Sequence, residues 1–358
     1  MIPRLFEKDE TAFTSFGICL LYDAIACRVT EERNGEFVLY MEYSRDGFCV
    51  DEIIVDRIIY ADPHDNATSP QPFRIYEVTF DMVGNLVVQA QHISYQLNHI
   101  IAFDYGARPS TPTIMWNGIE GARVTAANPF SFNTDIAPAI GPDIEVSAHY
   151  AFSIRDAIGG FEHSMLYIFG GELEWDKYDV NLWAARGADN GVKIAYTKNL
   201  TGMTYDIDTS DSITAAIAFW QKDGETSVRS NIQTVPRTLQ YNHVAIVDAS
   251  GDFDTAPTRA DLNDYATAWL ARNKNPASLS VEVSFVPLWQ TEEYKEYAAL
   301  EHVALCDTVE VIYPPLNIDV QAKVVKTVYN VLADRYDELT ISTVKKSLAD
   351  TIYELMEG

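Results

Sequence analysis

Three carboxylates at alternate positions, Glu172, Glu174 and Asp176, come nearest in this sequence to a catalytic arrangement. Side chains of a strand repeat every second residue, so all three project from one face, with about 6–7 Å between neighbours. Glycosidases use paired carboxylates at such separations, and a cell-wall hydrolase working through Glu172 or Glu174 is one reading. The other is the solvated face of a hairpin in a very acidic chain. The second takes precedence, because neither an aromatic sugar platform nor a pocket that would raise a carboxyl pKa can be identified around them.

The remaining candidates are weaker. Asp206, Asp208 and Asp211 suggest calcium, as do Asp248, Asp252 and Asp254. Neither group has the Gly at position six and Glu at position twelve of a helix–loop–helix calcium site, and surface turns account for both. His92 and His99 lie seven apart, outside any His-Glu-x-x-His pattern. His92 is expected to make a structural hydrogen bond at a strand end. A Gly-x-Ser-x-Gly elbow is missing, and so is a phosphate loop. Cys19, Cys27, Cys49 and Cys306 form no Cys-x-x-Cys pair, lack His at zinc-ligand spacing, and read as reduced core residues. Trp116, Trp175 and Trp183 could stack on a glycan, although core packing is commoner in such contexts. The expectation is no catalytic residue, no metal and no cofactor.

Composition narrows the classes further. Lys and Arg total 26 against 52 Asp and Glu, a net charge of −26. Carboxylates repel phosphates, which argues against specific nucleic-acid binding. A negative wall would, however, keep DNA from sticking in a pore. The longest apolar runs, such as Ile18 to Tyr22, fall far short of the ~20 residues that cross a bilayer. Arg4, Glu7, Lys8, Asp9 and Glu10 near Met1 are unlike a signal peptide, so the chain is expected in the cytosol. At 358 residues it has room for two or three domains.

The elements that must position these residues are mostly strands. Twenty Tyr, 16 Phe and recurrent Val, Ile and Thr favour them. Residues 1–105 read as one β-rich unit. A strand from Phe37 to Tyr43 follows the Asn34-Gly35 turn, and a hairpin joins Phe73–Phe80 to Leu86–Gln91 around Gly84. Residues 106–200 are a mixed middle, entered by a Pro-containing linker from Gly106 to Pro112. Ser153 and Asp156 form a capping box for a short helix that stops at Gly159-Gly160. Next come strands from Glu172 and from Val180, then a hairpin at Asp189-Asn190-Gly191, then a strand from Val192. Residues 201–342 return to strands and carry one inserted helix, 258–273. Thr258 caps it, Asp261 favours its first turn, and Leu262, Tyr265, Ala266, Trp269 and Leu270 form its apolar face. Residues 343–358 form a last helix, with Val344, Leu348, Ile352 and Leu355 on one side.

The order Gly170-Gly171-Glu172, strand, Asp, strand, Arg186-Gly187, Asn190-Gly191, strand, Lys198-Asn199-Leu200 resembles the hub module of phage tail-tip proteins. That family comprises the tail-associated lysins, or minor structural proteins, of phages with long tails. Asn34 to Leu39, Phe73 to Tyr76, Ala90 to Leu97, Val281 to Leu288, Leu305 to Val309 and Tyr329 to Ile341 extend the likeness along nearly the whole chain. Cys306 and Thr197 stand where the family carries Gly, the residue suited to positive φ.

The resemblance implies a β-rich α+β, multidomain fold with two β-barrel-like hub domains and α/β insertions, similar to the central hub of contractile-tail baseplates. It implies a homotrimer at the virion tail tip that joins a hexameric distal tail protein to the tip. Two similar barrels in each of three copies offer six similar faces. Implied neighbours are the tape measure protein and tail fibre or receptor-binding proteins, with DNA passing through without specific binding. The implied role is structural, without the lysin or peptidase domain of longer relatives. Such a protein, assembled in the host cytoplasm, never presents the sequons at Asn66 and Asn199 to glycosylation machinery. The Val344, Leu348, Ile352, Leu355 stripe either docks on its own domain, the preferred reading, or packs at a trimer axis.

Overall fold

The computed structural model describes residues 2–64, 69–125, 127–137, 146–160, 164–195, 198–208, 212–222, 224–235, 241–273, 278–285, 302–316 and 318–343. Val344, Leu348, Ile352 and Leu355, and with them the expected last helix, lie outside these residues. The chain divides into two compact units, each assembled from separated stretches. The first takes 1–192, 285–309 and 323–340, and the second takes 193–284, 310–322 and 341–358. The sequence suggested consecutive segments bounded near 105 and 200. Strand pairing over long separations interleaves them instead.

In the first unit, β1 (Arg4–Phe6) and β2 (Cys19–Leu20) precede the long strands β3 (Ala24–Glu32) and β4 (Phe37–Tyr43). β5 (Ile58–Ala61), β6 (Gln71–Phe80) and β7 (Leu86–His92) follow. Asn34 adopts a φ of 58° in the β3–β4 turn, where its short polar side chain tolerates the left-handed region. In β4 and β7, every second residue is buried, so Leu39, Met41, Tyr43, Val88 and Ala90 share one inner face.

Further along, β8 (Ile101–Ala107), α1 (Pro112–Gly121), β9 (Ser131–Thr134) and β10 (Val146–Ser153) lead to α2 (Ile154–Gly159) and α3 (Met165–Phe169). Ser153 and Asp156 make the expected capping box of α2. Helix α1 starts at the last residue of the Gly106–Pro112 linker and runs on to Gly121. Thr111 caps it by accepting from the Ile114 amide at 3.1 Å, and Pro112 fills its first turn. β11 (Glu172–Asp176) and β12 (Asp179–Trp183) form an antiparallel hairpin, with β9 parallel on the other side of β12.

The remaining strands are β13 (Asp189–Ala195), β14 (Leu200–Asp208), β15 (Ala215–Trp220), β16 (Val228–Arg229), β17 (Gln233–Thr234) and β18 (Val244–Asp248). After helix α4 (Arg259–Asn273) come β19 (Ser278–Phe285), β20 (Thr308–Tyr313), β21 (Ile318–Asn330) and β22 (Arg335–Thr343). The hairpin expected at Asp189-Asn190-Gly191 is not formed. These residues open β13, which pairs with β20 and not with β12. Gly191 does take φ 69°, and its amide reaches back to Asp189 Oδ1 at 3.0 Å. The Asn-Gly signal is thus a local bend at a strand start.

The main sheet of the first unit runs β2-β1-β5-β6-β7-β4-β3 and continues to β21 and β22. Among the described residues this order stays open, and no pairing closes a barrel. The protein is a β-rich α+β fold with several sheets. In the second unit β15 sits between β18, parallel to it, and the short β16 and β17. Helix α4 packs Leu262, Ala266 and Leu270 against Ala216, Ala218, Trp220, Val247 and Ala249. Thr258 and Asp261 cap it reciprocally, at 2.9 and 3.3 Å.

Candidate functional site

The Gly170–Asp176 segment, where the acidic triad lies, sits at the centre of a buried polar node in the first unit. Glu172 is 7% exposed. Its Oε1 accepts from Lys323 Nζ at 2.6 Å and Arg33 Nη1 at 3.2 Å, and its Oε2 accepts from the Arg186 amide at 2.6 Å. Burial pushes the Glu172 carboxyl up. The Lys323 ammonium, the Arg186 amide and the Arg33 charge outweigh it and hold the pKa below the usual carboxylate value. A glycosidase acid needs the opposite shift.

Arg186 carries the node further. Its Nη1 donates to the Leu173 carbonyl at 2.5 Å, and the guanidinium faces Glu31 at 3.4 Å. Next to it, Gly187 has φ 73°, and a Cβ there would collide with the Cys306 carbonyl. Ala188 donates to Asp307 Oδ1 at 2.7 Å, and Thr308 donates back to the Ala188 carbonyl at 2.9 Å. Asp307 Oδ2 also holds the Ala304 amide at 2.8 Å. Cys306 and Val324 close the ring: the Cys306 amide donates to Val324 O at 2.8 Å, and the Val324 amide to Asp307 O at 2.9 Å. On the opposite side, Asn34 Nδ2 donates to Gly171 O at 3.0 Å, and Asn34 Oδ1 accepts from Leu173 N at 2.7 Å.

Stretches that sequence order keeps far apart therefore meet: Asn34, Gly171–Leu173, Arg186–Ala188, Ala304–Thr308 and Lys323–Val324. All but Lys323–Val324 belong to, or border, a motif that carries the tail-tip resemblance. Cys306 has φ 71°, the left-handed conformation for which the family's Gly is suited. Thr197, the other departure, lies outside the described residues.

Beside the node is a pocket of about 370 Å³ whose lining includes Glu31, Glu174, Trp183, Arg186, Asp307 and Thr327. Its charged groups already hold internal partners. Glu31 faces Arg186, Asp307 takes two backbone amides, and Trp183 Nε1 donates to Glu174 Oε2 at 2.6 Å. Asp176 accepts from Gln71 Nε2 at 2.9 Å. The expected solvated carboxylate face is thus corrected. Glu172 is buried in an internal hydrogen-bond network, while Glu174 and the half-exposed Asp176 are each engaged by neighbouring side chains. The arrangement can fasten segments together.

The other sequence candidates separate. His92 is buried. It accepts from the Ser94 amide at 3.2 Å, sits 3.3 Å from Gln71 Oε1, and stacks on Phe37. Burial, and then the Arg155 charge, hold its pKa well below 6.5. It has the structural hydrogen bond expected of it. Cys19, Cys27 and Cys306 are buried free thiols, and burial pushes Cys27 and Cys306 up to about 12. Neither is an activated nucleophile. Trp116 is packed on Phe132 at 5.1 Å and Trp175 is buried beside Arg155, so neither offers a glycan-stacking surface. Asp248 and Asp252 are engaged separately, by Ser250 N and Tyr265 Oη. Asp211 lies outside the described residues. Among the described residues no group of three His, Cys, Asp or Glu side chains could hold a metal ion, and no helix is long and apolar enough to cross a membrane. Sequence reasoning overlooked Arg33, Lys323 and Glu31, which carry no motif and only gain meaning beside Glu172 and Arg186.

Residues 188–352, which begin at the Ala188 end of the node, match a family model described as Prophage endopeptidase tail. No curated protein sequence matches the chain. Among solved structures it is similar to prophage tail protein gp18 from Listeria monocytogenes EGD-e, at 14% identity and a TM-score of 0.60, with 100% of this chain and 99% of that one covered. The 43 kDa tail protein of prophage MuSo2 from Shewanella oneidensis is similar at 10% identity and a TM-score of 0.60, over 98% of this chain and 99% of that one. A tail protein from Neisseria meningitidis MC58 is similar at 11% identity and a TM-score of 0.56, over 98% of each chain. At these identities the likeness concerns the fold.

Proposed function

We infer, from the match of residues 188–352 to the prophage endopeptidase tail model, a structural virion protein that forms the trimeric hub at the distal end of a phage tail. In this reading three copies join the hexameric distal tail ring to the tip, and they line or close the DNA channel before ejection. The two units supply the two barrel-like modules, which repeat as six around the trimer. The tape measure protein and tail fibre or receptor-binding proteins are its neighbours. The net charge of −26 suits a wall past which DNA slides without binding.

One observation carries the reading. Three of the motifs that resemble tail-tip hubs, at Asn34, at Glu172–Arg186 and at Asp307, converge on a single fastening with Lys323, within a fold similar over nearly its whole length to those of three tail proteins. The same fastening speaks against catalysis. Both oxygens of Glu172 are occupied and its carboxyl is held ionised. In this reading Glu172 has a structural role and not a catalytic one.

Sedimentation velocity and negative-stain imaging of the purified protein test the reading directly. A threefold particle that binds a hexameric tail ring is expected, and a monomer at every concentration would remove the hub assignment. Zymography on peptidoglycan is expected to be blank. A lytic band lost on Glu172→Gln would return the hydrolase alternative.

A further inference from the structure

Arg186 and Arg155 both lie largely out of water in the first unit, with different company. Burial works against the Arg186 charge, and the Glu31 carboxylate at 3.4 Å outweighs it, so the Arg186 pKa is raised. Arg155 forms no ion pair among the described residues. Its Nη1 donates to Ser94 Oγ at 3.2 Å, and the guanidinium carbon lies 4.0 Å from the centre of the Tyr95 ring and 5.4 Å from that of Trp175. Ring faces attract the charge without neutralising it. Burial accordingly holds the Arg155 pKa below the ordinary arginine value, and the fields of Tyr95 and Asp156 fall short of restoring it.

The sequence explains why the adjacent acid does not serve as partner. Arg155 and Asp156 are consecutive in α2, and consecutive side chains of a helix diverge. Asp156 is also engaged elsewhere: its Oδ2 accepts from Ser153 Oγ at 2.7 Å and from the Ser153 amide at 3.4 Å. Arg155 instead lines a pocket of about 180 Å³, together with Asn98, Asp156 and Trp175. A guanidinium has five N–H donors, of which Ser94 engages one. The Asn98 side-chain amide, in the same lining, makes no hydrogen bond within the described residues and supplies a further donor.

Size and charge select the ligand. Pockets for cofactors and small molecules run from about 300 to 1,000 Å³, whereas 180 Å³ is the room of about six waters at ~30 Å³ each. That suits a single side chain. A phosphate would bring up to about two negative charges to one cation, with Asp156 in the lining and −26 on the chain. A carboxylate brings one, and its two oxygens match the planar fork of a guanidinium. We propose that the Arg155 pocket is a binding site for an acidic side chain, Glu or Asp, presented by another protein molecule, with the carboxylate seated on the guanidinium and held by Asn98. The site is argued from the first unit alone and stands or falls independently of the hub reading.

Saturation-transfer NMR tests the site with N-acetyl-glutamate amide, its neutral isostere N-acetyl-glutamine amide, and succinate as a free small acid. The blocked glutamate is expected to bind wild-type protein saturably, and about tenfold or more tightly than the blocked glutamine. Arg155→Gln, shown to be folded by circular dichroism, should weaken the blocked glutamate by on the order of tenfold. No saturable binding, equal binding of the two blocked probes, or an Arg155→Gln variant that binds as wild type does overturns the proposal. Tighter binding of succinate than of the blocked glutamate overturns the side-chain assignment in favour of a free acid. Should the variant not fold, phenylglyoxal labelling of wild-type Arg155, read by peptide mass, decides. Slower labelling with the glutamate probe than with the glutamine probe supports the site, and equal labelling overturns it.

Discussion

The Glu172 node of the first unit and the α4 layer of the second are held by opposite means. Around Glu172, charges and backbone groups from five separated stretches satisfy one another in a buried setting. Around α4, one stretch of about sixty residues folds onto itself around an apolar core that includes Trp220, Leu262, Ala266 and Leu270. Buried charges contribute little net stability relative to apolar packing, but losing one partner is costly, because the other charge stays behind. Apolar packing tolerates no gaps yet has no exact stoichiometry of partners. The node therefore specifies which segments meet, and the α4 layer supplies local cohesion.

The largest effect is expected in the α4 layer. Trp220 is fully buried, and its Nε1 donates to Phe253 O at 3.0 Å. Trp220→Ala should cost ~4 kcal/mol. Hydrogen exchange should show this as lost protection across 212–273, with the Arg186–Ala188 amides unchanged. Spreading of the loss to those amides would show that the two regions do not open independently.

Next comes Glu172→Gln, which leaves Lys323 and Arg33 short of their shared partner and should cost ~3 kcal/mol. Chemical denaturation measures it. A combined Glu172→Met, Lys323→Met variant should lose less than the single change, since both charges leave together. If the double variant is the weaker of the two, the node is not an ion-pair device.

Acid titration of stability separates the regions by pH. Glu172 has a folded pKa below 4.5, so its contribution is present above 4.5 and is lost as pH falls through the folded value. His92 is held neutral when folded while the unfolded chain takes up a proton near 6.5, so stability falls as pH drops below 6.5, by up to ~1.4 kcal/mol per pH unit. His92→Gln should flatten that slope, and Glu172→Gln should flatten the slope below 4.5. An unchanged profile in either variant refutes the corresponding burial argument. The smallest effect belongs to the helix cap. Thr258→Ala should cost ~1 kcal/mol, seen as fraying of the first turn of α4 by hydrogen exchange.

Much of the second region is legible in the sequence. Thr258, Asp261 and the Leu262, Ala266, Leu270 spacing are local signals, and the helix runs Arg259–Asn273 as they require. Ser153–Asp156 and the β6–β7 hairpin are legible for the same reason. Asn190-Gly191 misled, because a residue pair that permits a turn does not say which strands flank it. Thr111-Pro112 carried a cap signal that was read only as a linker. The triad was seen and its surroundings were not, since the partners of Glu172 lie 139 and 151 residues away at Arg33 and Lys323.

The sequence by itself determined the strand-rich class, the capped helices, the absence of the nucleophile-elbow and His-Glu-x-x-His signatures and the acidic field, all of which depend on composition or on neighbours within a few positions. The tertiary structure alone decided that Glu172 is clasped rather than solvated and that the chain interleaves into two units. The physical reason is that burial and pairing are properties of residues distant in the chain, and only the folded backbone brings those residues within reach of one another.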